Sequence, residues 1–182
     1  MRLISNKTWM KIHLYLSLFF LPMAIIYAIT GAFYIFGFKT NAGASVVQIK
    51  LNETITHKNA QEIMIRLIQE NNLKMPENLQ VRFNKNAYSI GNLKNAYLIR
   101  VTNDKAEFLA YDRSIYGVLL LLHKAHGKVW FDILAVGFAI ALVIFYISGL
   151  VLTAFCKRDK KGALISTILG IIITILVVYF SI

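Results

Sequence analysis

Three long apolar stretches set the terms for this chain. Residues 12–38 are interrupted by little more than His13, Ser17, Thr30 and a few glycines, and residues 131–155 and 163–182 are two further runs of the same kind. Each exceeds the ~18–20 apolar residues needed to cross about 30 Å of hydrocarbon as a helix. Trp9, Tyr15, Tyr34, Trp130 and Tyr179 lie near the ends of these runs, where amphipathic rings favour the membrane–water boundary. Of the 182 residues, 57% are hydrophobic and 16% charged, below the roughly 25% charge of globular proteins. The net charge of +11 would suggest nucleic acid in a soluble protein. Here the cations flank apolar blocks, so membrane topology accounts for them and no nucleic-acid partner is expected. The single cysteine, Cys156, excludes an internal disulfide and a thiolate metal cluster.

The short basic segments predict orientation. Arg2, Lys7 and Lys11 precede the first run, and Lys157-Arg158-Asp159-Lys160-Lys161 links the second to the third, with four cations in five residues. Three crossings put both segments on one side, and the positive-inside rule makes that side cytoplasmic. The expected layout is a cytoplasmic N-terminus (1–11), a first span (12–38) and an outer segment (39–128). A second span (129–156), a basic cytoplasmic loop (157–162) and a third span (163–182) follow, giving an N-in/C-out chain. Ala42-Gly43-Ala44 resembles a signal-peptide cleavage site, but the apolar run before it is longer than the 7–15 residues of a signal sequence.

Between the first two runs, residues 45–112 read as a small α+β unit. Val47, Ile49 and Leu51 alternate as in a half-buried strand. Thr56 is a candidate cap for a helix over about 57–71, where Ala60, Ile63, Met64, Leu67 and Ile68 form an apolar stripe, and Pro76 forbids its continuation. Strands are expected at 79–83, 97–101 and 107–111, with a weaker one at 87–90. Asn84-Lys85-Asn86, Gly91-Asn92 and Asn103-Asp104 supply the turns. The acids of this unit, Glu53, Glu62, Glu70, Glu77, Asp104, Glu107 and Asp112, show no ligand spacing. His57, at a helix start, reads as a solvated residue.

Ionisable groups in or beside membrane spans are costly and are therefore functional candidates: His13, His123, His126 and Asp132. His13 lies just inside the first span. His123 and His126 precede the second, and a three-residue spacing puts them on a similar helix face. Asp132 suits the N-terminal turn of a helix. Neutral imidazole is an axial ligand for haem iron, whereas zinc wants three or four ligands. Met10, Met23, Met64 and Met75 are not clustered at ligand spacing. Each of the first two spans starts near a histidine and ends near a small hydroxyl residue plus glycine, Thr30-Gly31 or Ser148-Gly149. Antiparallel spans would put Gly149 near the depth of His13, and Gly31 near that of His126. Glycine lets a flat macrocycle approach a helix backbone, while helix packing explains the same glycines without a cofactor.

The segment Trp9-Met10-Lys11-Ile12-His13-Leu14-Tyr15-Leu16-Ser17-Leu18, followed by Tyr27-Ala28-Ile29-Thr30-Gly31, resembles the first span of the PepSY-associated transmembrane family. Leu122-His123-Lys124-Ala125-His126-Gly127, followed by an apolar span ending in Ser148-Gly149, is similar to that family's second histidine region. The outer segment resembles a PepSY domain. The fold class expected is thus three membrane helices with a small α+β PepSY-like extramembrane domain. Members include small haem-containing ferric or ferrisiderophore reductases of the bacterial inner membrane. The resemblance implies haem b with His13 as inner axial ligand and His126 or His123 as the outer one, with Gly31 and Gly149 beside the haem. Electrons would pass from the cytoplasmic side to periplasmic ferric iron, free or chelated. This chain has Ser17 where a glycine is common, and fewer spans than larger members. A homodimer holding one or two haems supplies the missing ligands. With no G-x-G-x-x-G fingerprint after a strand, a separate flavoprotein or quinol must donate electrons. Two rival expectations are a non-enzymatic tether, whose PepSY-like domain binds a partner protein or restrains a peptidase, and an accessory subunit of an iron transporter.

Overall fold

The computed structural model describes residues 5–102, 105–154 and 160–182. Arg2, the turn Asn103-Asp104, Cys156 and the cations Lys157 and Arg158 lie outside the described residues. The chain divides into two compact units, Met1–Ile25 with Ile133–Ile182, and Ile26–Asp132.

Among the described residues three helices are long and apolar enough to cross a membrane: α1 (Asn6–Ile35), α4 (Val129–Ala154) and α5 (Lys160–Ser181). The chain is a membrane protein. Helix α1 begins at Ser5, whose hydroxyl accepts from the Thr8 amide at 3.2 Å, the usual way to satisfy a donor in a first turn. Pro22 lies inside α1. It has no N–H to donate, a defect that membrane helices tolerate because neighbouring groups re-satisfy the freed carbonyl. In the first unit, Phe20 and Met23 of α1 and Phe138 and Ala141 of α4 are buried, with the Phe20 and Phe138 rings 5.8 Å apart. Gly137 leaves room for Phe20, whose Cζ is 3.5 Å from where a Cβ would stand. Helix α5 buries no residue within the chain, although it is apolar along its length.

The second unit contains an antiparallel five-stranded sheet in the order β1-β5-β4-β3-β2: β1 (Ser45–Leu51), β2 (Arg82–Asn84), β3 (Ala87–Gly91), β4 (Asn95–Thr102) and β5 (Lys105–Asp112). One row of inward side chains runs across all five strands, from Ile49 through Phe108, Ile99 and Tyr88 to Phe83. The two-residue alternation of a strand puts every second side chain on this face. Helix α2 (Ala60–Glu70) lays the expected stripe of Ala60, Ile63, Met64, Leu67 and Ile68 on it, all buried.

Several local expectations change. Asn59, not Thr56, occupies the N-cap of α2 and makes no side-chain cap; its Oδ1 instead accepts from the Thr56 amide at 2.7 Å. The helix stops before Pro76, because Asn72 takes φ of +51° while Leu73 N–H reaches Ile68 O and Asn72 N–H reaches Gln69 O. This is the Schellman closure, which Asn tolerates. The strand expected at 79–83 is shorter and shifted to β2. The weak candidate at 87–90 becomes an inner strand, paired on both sides.

Because β1 pairs with β5, the first and last residues of the sheet, Ser45 and Asp112, are in register. This brings the chain leaving α1 against the chain entering α3 (Ile115–His123). Ser114 caps α3, accepting from Gly117 N–H and donating to Ala42 O at 2.7 Å. Tyr116 donates to Phe38 O at 2.7 Å. The Arg113 guanidinium donates to Asn41 Oδ1 and Leu93 O. Gly117 packs so closely that an added Cβ would stand 2.4 Å from Thr40 O. Helix α3 ends in a second Schellman closure, with His126 N–H on Leu121 O, Ala125 N–H on Leu122 O, and Ala125 at φ of +57°.

Two predictions follow from these backbone positions. Ala125→Gly relieves a left-handed alanine and should raise stability by about 0.5–1 kcal/mol, read as a higher midpoint in denaturant titration of the full chain in detergent. Gly117→Ala should lower it by about 1–3 kcal/mol, because the obstructing atom is backbone; an unchanged midpoint would contradict the close approach.

Candidate functional site

Helices that face lipid have little reason to bury polar side chains, since an unmet polar group there costs several kcal/mol. Among the described residues only Thr30 and Ser148 are buried polar side chains, at 1% and 0% exposure. Each holds a histidine.

In the first unit, His13 of α1 meets Ser148 of α4, with Nδ1 and Oγ 2.8 Å apart. The serine hydroxyl also donates to its own helix at Phe145 O, 3.1 Å away. The Phe145 ring stands edge-on to the imidazole, with centroids 5.9 Å apart and planes at 70°.

In the second unit, His123, the last residue of α3, meets Thr30 of α1, with Nδ1 and Oγ1 2.7 Å apart. Thr30 donates to Ile26 O at 2.6 Å. Tyr27 stacks on the imidazole, with centroids 4.0 Å apart and planes within 30°. Gly31 completes the wall, since a Cβ there would stand 4.0 Å from His123 Cε1. Burial, and secondly the neighbouring Lys124 ammonium, lowers the His123 pKa below its ordinary value, which favours the neutral ring.

The two hydroxyls and Tyr27 are the functional side chains that sequence reasoning left unassigned. Thr30 and Ser148 stood out as small residues beside glycines, but their partners lie 93 and 135 residues away. Gly31 is beside His123 and not His126, near whose depth it was expected. Gly149 follows Ser148 in α4, with no atom within 4 Å of its Cβ position.

His123 and His126 do not share a helix face. Helix α3 ends at His123, and the left-handed Ala125 turns the chain so that His126 lies in the connection to α4, exposed. Its Nδ1 donates to Lys124 O at 2.8 Å. Asp132 is in the first turn of α4, where a carboxylate suits the helix dipole. His57 is exposed, with its ring edge-on to Phe83 and Tyr88 at 4.7 and 5.0 Å. Three acids of the sheet unit are in ion pairs: Glu53 and Glu70 with Arg66, and Asp112 with Lys94. Among the described residues no group of three or more His, Cys, Asp or Glu side chains is placed to hold a metal ion.

Tyr27→Ala should uncover the His123 imidazole and cost about 1–3 kcal/mol of stability through lost aromatic burial. Diethyl pyrocarbonate should modify exposed His57 and His126 faster than His13 and His123 in the native chain, with peptide mapping as the readout. Equal rates at all four would contradict the enclosure of the two hydroxyl-held rings.

Neither a curated protein nor a solved structure matches the chain. One family's sequence pattern, PepSY_TM-like, matches residues 35–182. The match runs from the last residue of α1 through the sheet, α3, α4 and α5, and so includes His123 and Ser148 but not His13 or Thr30. Covering most of the chain, it fixes the kinship: the protein belongs to the PepSY_TM-like family.

Proposed function

We propose that this chain is a haem-dependent reductase of the bacterial inner membrane that passes electrons to ferric iron, free or chelated, on the periplasmic side in support of iron uptake. The observation that carries this reading is the pair of imidazoles, each held through Nδ1 by a fully buried hydroxyl in otherwise apolar helices. Ionisable groups in such surroundings are default functional sites. The resemblance of the histidine segments to small haem-containing reductases supplies the cofactor.

The donor set suits haem b. Each imidazole has Nδ1 on a hydroxyl, and its Nε2 would be the atom to hold a haem iron, as is expected of a ligating histidine. When bound, haem supplies one-electron chemistry that no side chain here offers. His13 is the proposed inner ligand. His123 is the proposed outer ligand in preference to His126, because its ring is partly buried, stacked and hydroxyl-held. Gly31 leaves space beside His123. The open surroundings of Gly149 beside Ser148 suit the same role at the inner site.

One histidine at each site leaves each iron a ligand short, so a homodimer is part of the proposal. Its two-fold axis along the membrane normal would pair His13 with the partner's His13, and the outer histidines likewise. The N-in/C-out orientation puts His13 on the cytoplasmic side, where a flavoprotein or quinol donates, and the sheet domain in the periplasm. The chain binds, orients and shields from water; the donor and the ferric acceptor are separate molecules.

Purified protein should display a Soret band with sharp reduced α and β bands. His13→Ala and His123→Ala should each remove about half of the bound haem. Each should also slow ferric citrate reduction in proteoliposomes by at least about 100-fold, the scale of losing an essential redox group. A protein without a chromophore would favour the tether reading. Haem content unchanged in both variants would refute the ligand assignment.

A further inference from the structure

A hydroxyl has one proton to donate, and in both histidine contacts a carbonyl of the hydroxyl's own helix stands within reach of it. Thr30 Oγ1 is 2.6 Å from Ile26 O, and a carbonyl can only accept. A proton given to that carbonyl, the shorter of the two contacts, leaves Thr30 Oγ1 to accept from His123 Nδ1 in the 2.7 Å contact. Ser148 has the same two neighbours, Phe145 O at 3.1 Å and His13 Nδ1 at 2.8 Å, and a proton given to the carbonyl leaves it to accept from His13. A neutral ring with its proton on Nδ1 has its lone pair on Nε2. Neutral histidine free in water favours the opposite form, with the proton on Nε2, so the buried hydroxyls work against the intrinsic preference.

We propose that Thr30 and Ser148 are positioning residues that lock His123 and His13 in the Nδ1–H tautomer and present Nε2 as the only donor atom for a bound metal. The functional meaning rests on the haem reading; the tautomer itself does not. Two features fit a positioning role better than simple helix packing. Both hydroxyls are buried while the imidazoles they hold are only partly so. Phe145 edge-on and Tyr27 face-on further restrict ring rotation. A hydroxyl is also a neutral acceptor. It fixes the ring without the gain in ligand basicity that a carboxylate partner brings, so the coordinated iron should be easier to reduce than one on a carboxylate-held histidine.

The test uses the full chain in detergent micelles with 15N-labelled histidine, prepared without haem and then loaded with it. In the haem-free wild type, the Nδ1 of His13 and His123 should give protonated-nitrogen shifts and their Nε2 unprotonated ones. Thr30→Val should move His123 towards the Nε2–H form and leave His13 unchanged; Ser148→Ala should do the converse, and Thr30→Ser should restore the wild-type pattern. On haem titration, Thr30→Val should weaken haem binding at the outer site by about 10–100-fold, the usual effect of losing an outer-shell partner, with Thr30→Ser again restoring it. An Nε2–H signature in the wild type would overturn the proposal, as would His123 shifts indifferent to Thr30→Val. The wild-type spectrum alone decides the tautomer if a variant fails to fold. A locked tautomer in a chain that takes up no haem would refute the reductase reading while upholding the lock.

Discussion

A hydrogen bond between a buried hydroxyl and an imidazole on another helix is the contact around which this protein is organised. Apolar helices in lipid gain little from packing on one another, because lipid tails serve as well as leucines. A polar pair is different: Thr30 and Ser148 each bond a carbonyl of their own helix, and a partner on another helix adds a directional bond that lipid cannot replace. His123 and His13 supply those partners, so each contact fixes a specific juxtaposition of helices. The same bond leaves one ring nitrogen of each histidine uncommitted. Structural and chemical demands are met by one interaction.

The contact between His123 and Thr30 depends on the sheet. Pairing β1 with β5 brings the two ends of the domain into register at Ser45 and Asp112. From there the Ser114 cap, the Tyr116 hydrogen bond to Phe38 O and the close approach of Gly117 to Thr40 fix the start of α3. A helix of fixed rise then delivers its last residue, His123, to Thr30 and Tyr27. The PepSY-like domain thereby acts as a jig for one histidine, whatever else it binds. This gives a physical reason for a small sheet domain to interrupt a membrane chain between its first two long helices.

Much of this was legible in the residues. The three spans follow from hydropathy because a bilayer imposes a minimum apolar length. The stripe of Ala60, Ile63, Met64, Leu67 and Ile68 and the alternation of Val47, Ile49 and Leu51 each declare a buried face. What stayed hidden was of two kinds. Local backbone choices carried weak markers: Asn72 ended α2 ahead of Pro76, and nothing in Leu122-His123-Lys124-Ala125-His126 announces that alanine turns left-handed and parts the two histidines. Long-range pairings had no marker except chemistry. Thr30 and Ser148 were visible as small hydroxyl residues at span ends, yet the glycines beside them drew attention to packing. A hydroxyl in an apolar run can be satisfied by its own helix, as Ser17, Thr167 and Thr174 are, so its residue type alone does not announce a partner on another helix.

The proposed account turns on two histidine levels, each completed by the same residue from a second chain. Haem iron per polypeptide, measured on purified protein of known oligomeric state, tests it most directly. The account predicts a dimer with one haem per chain, two per dimer, both six-coordinate. A protein without haem, or a monomer that carries a six-coordinate haem by itself, would contradict it.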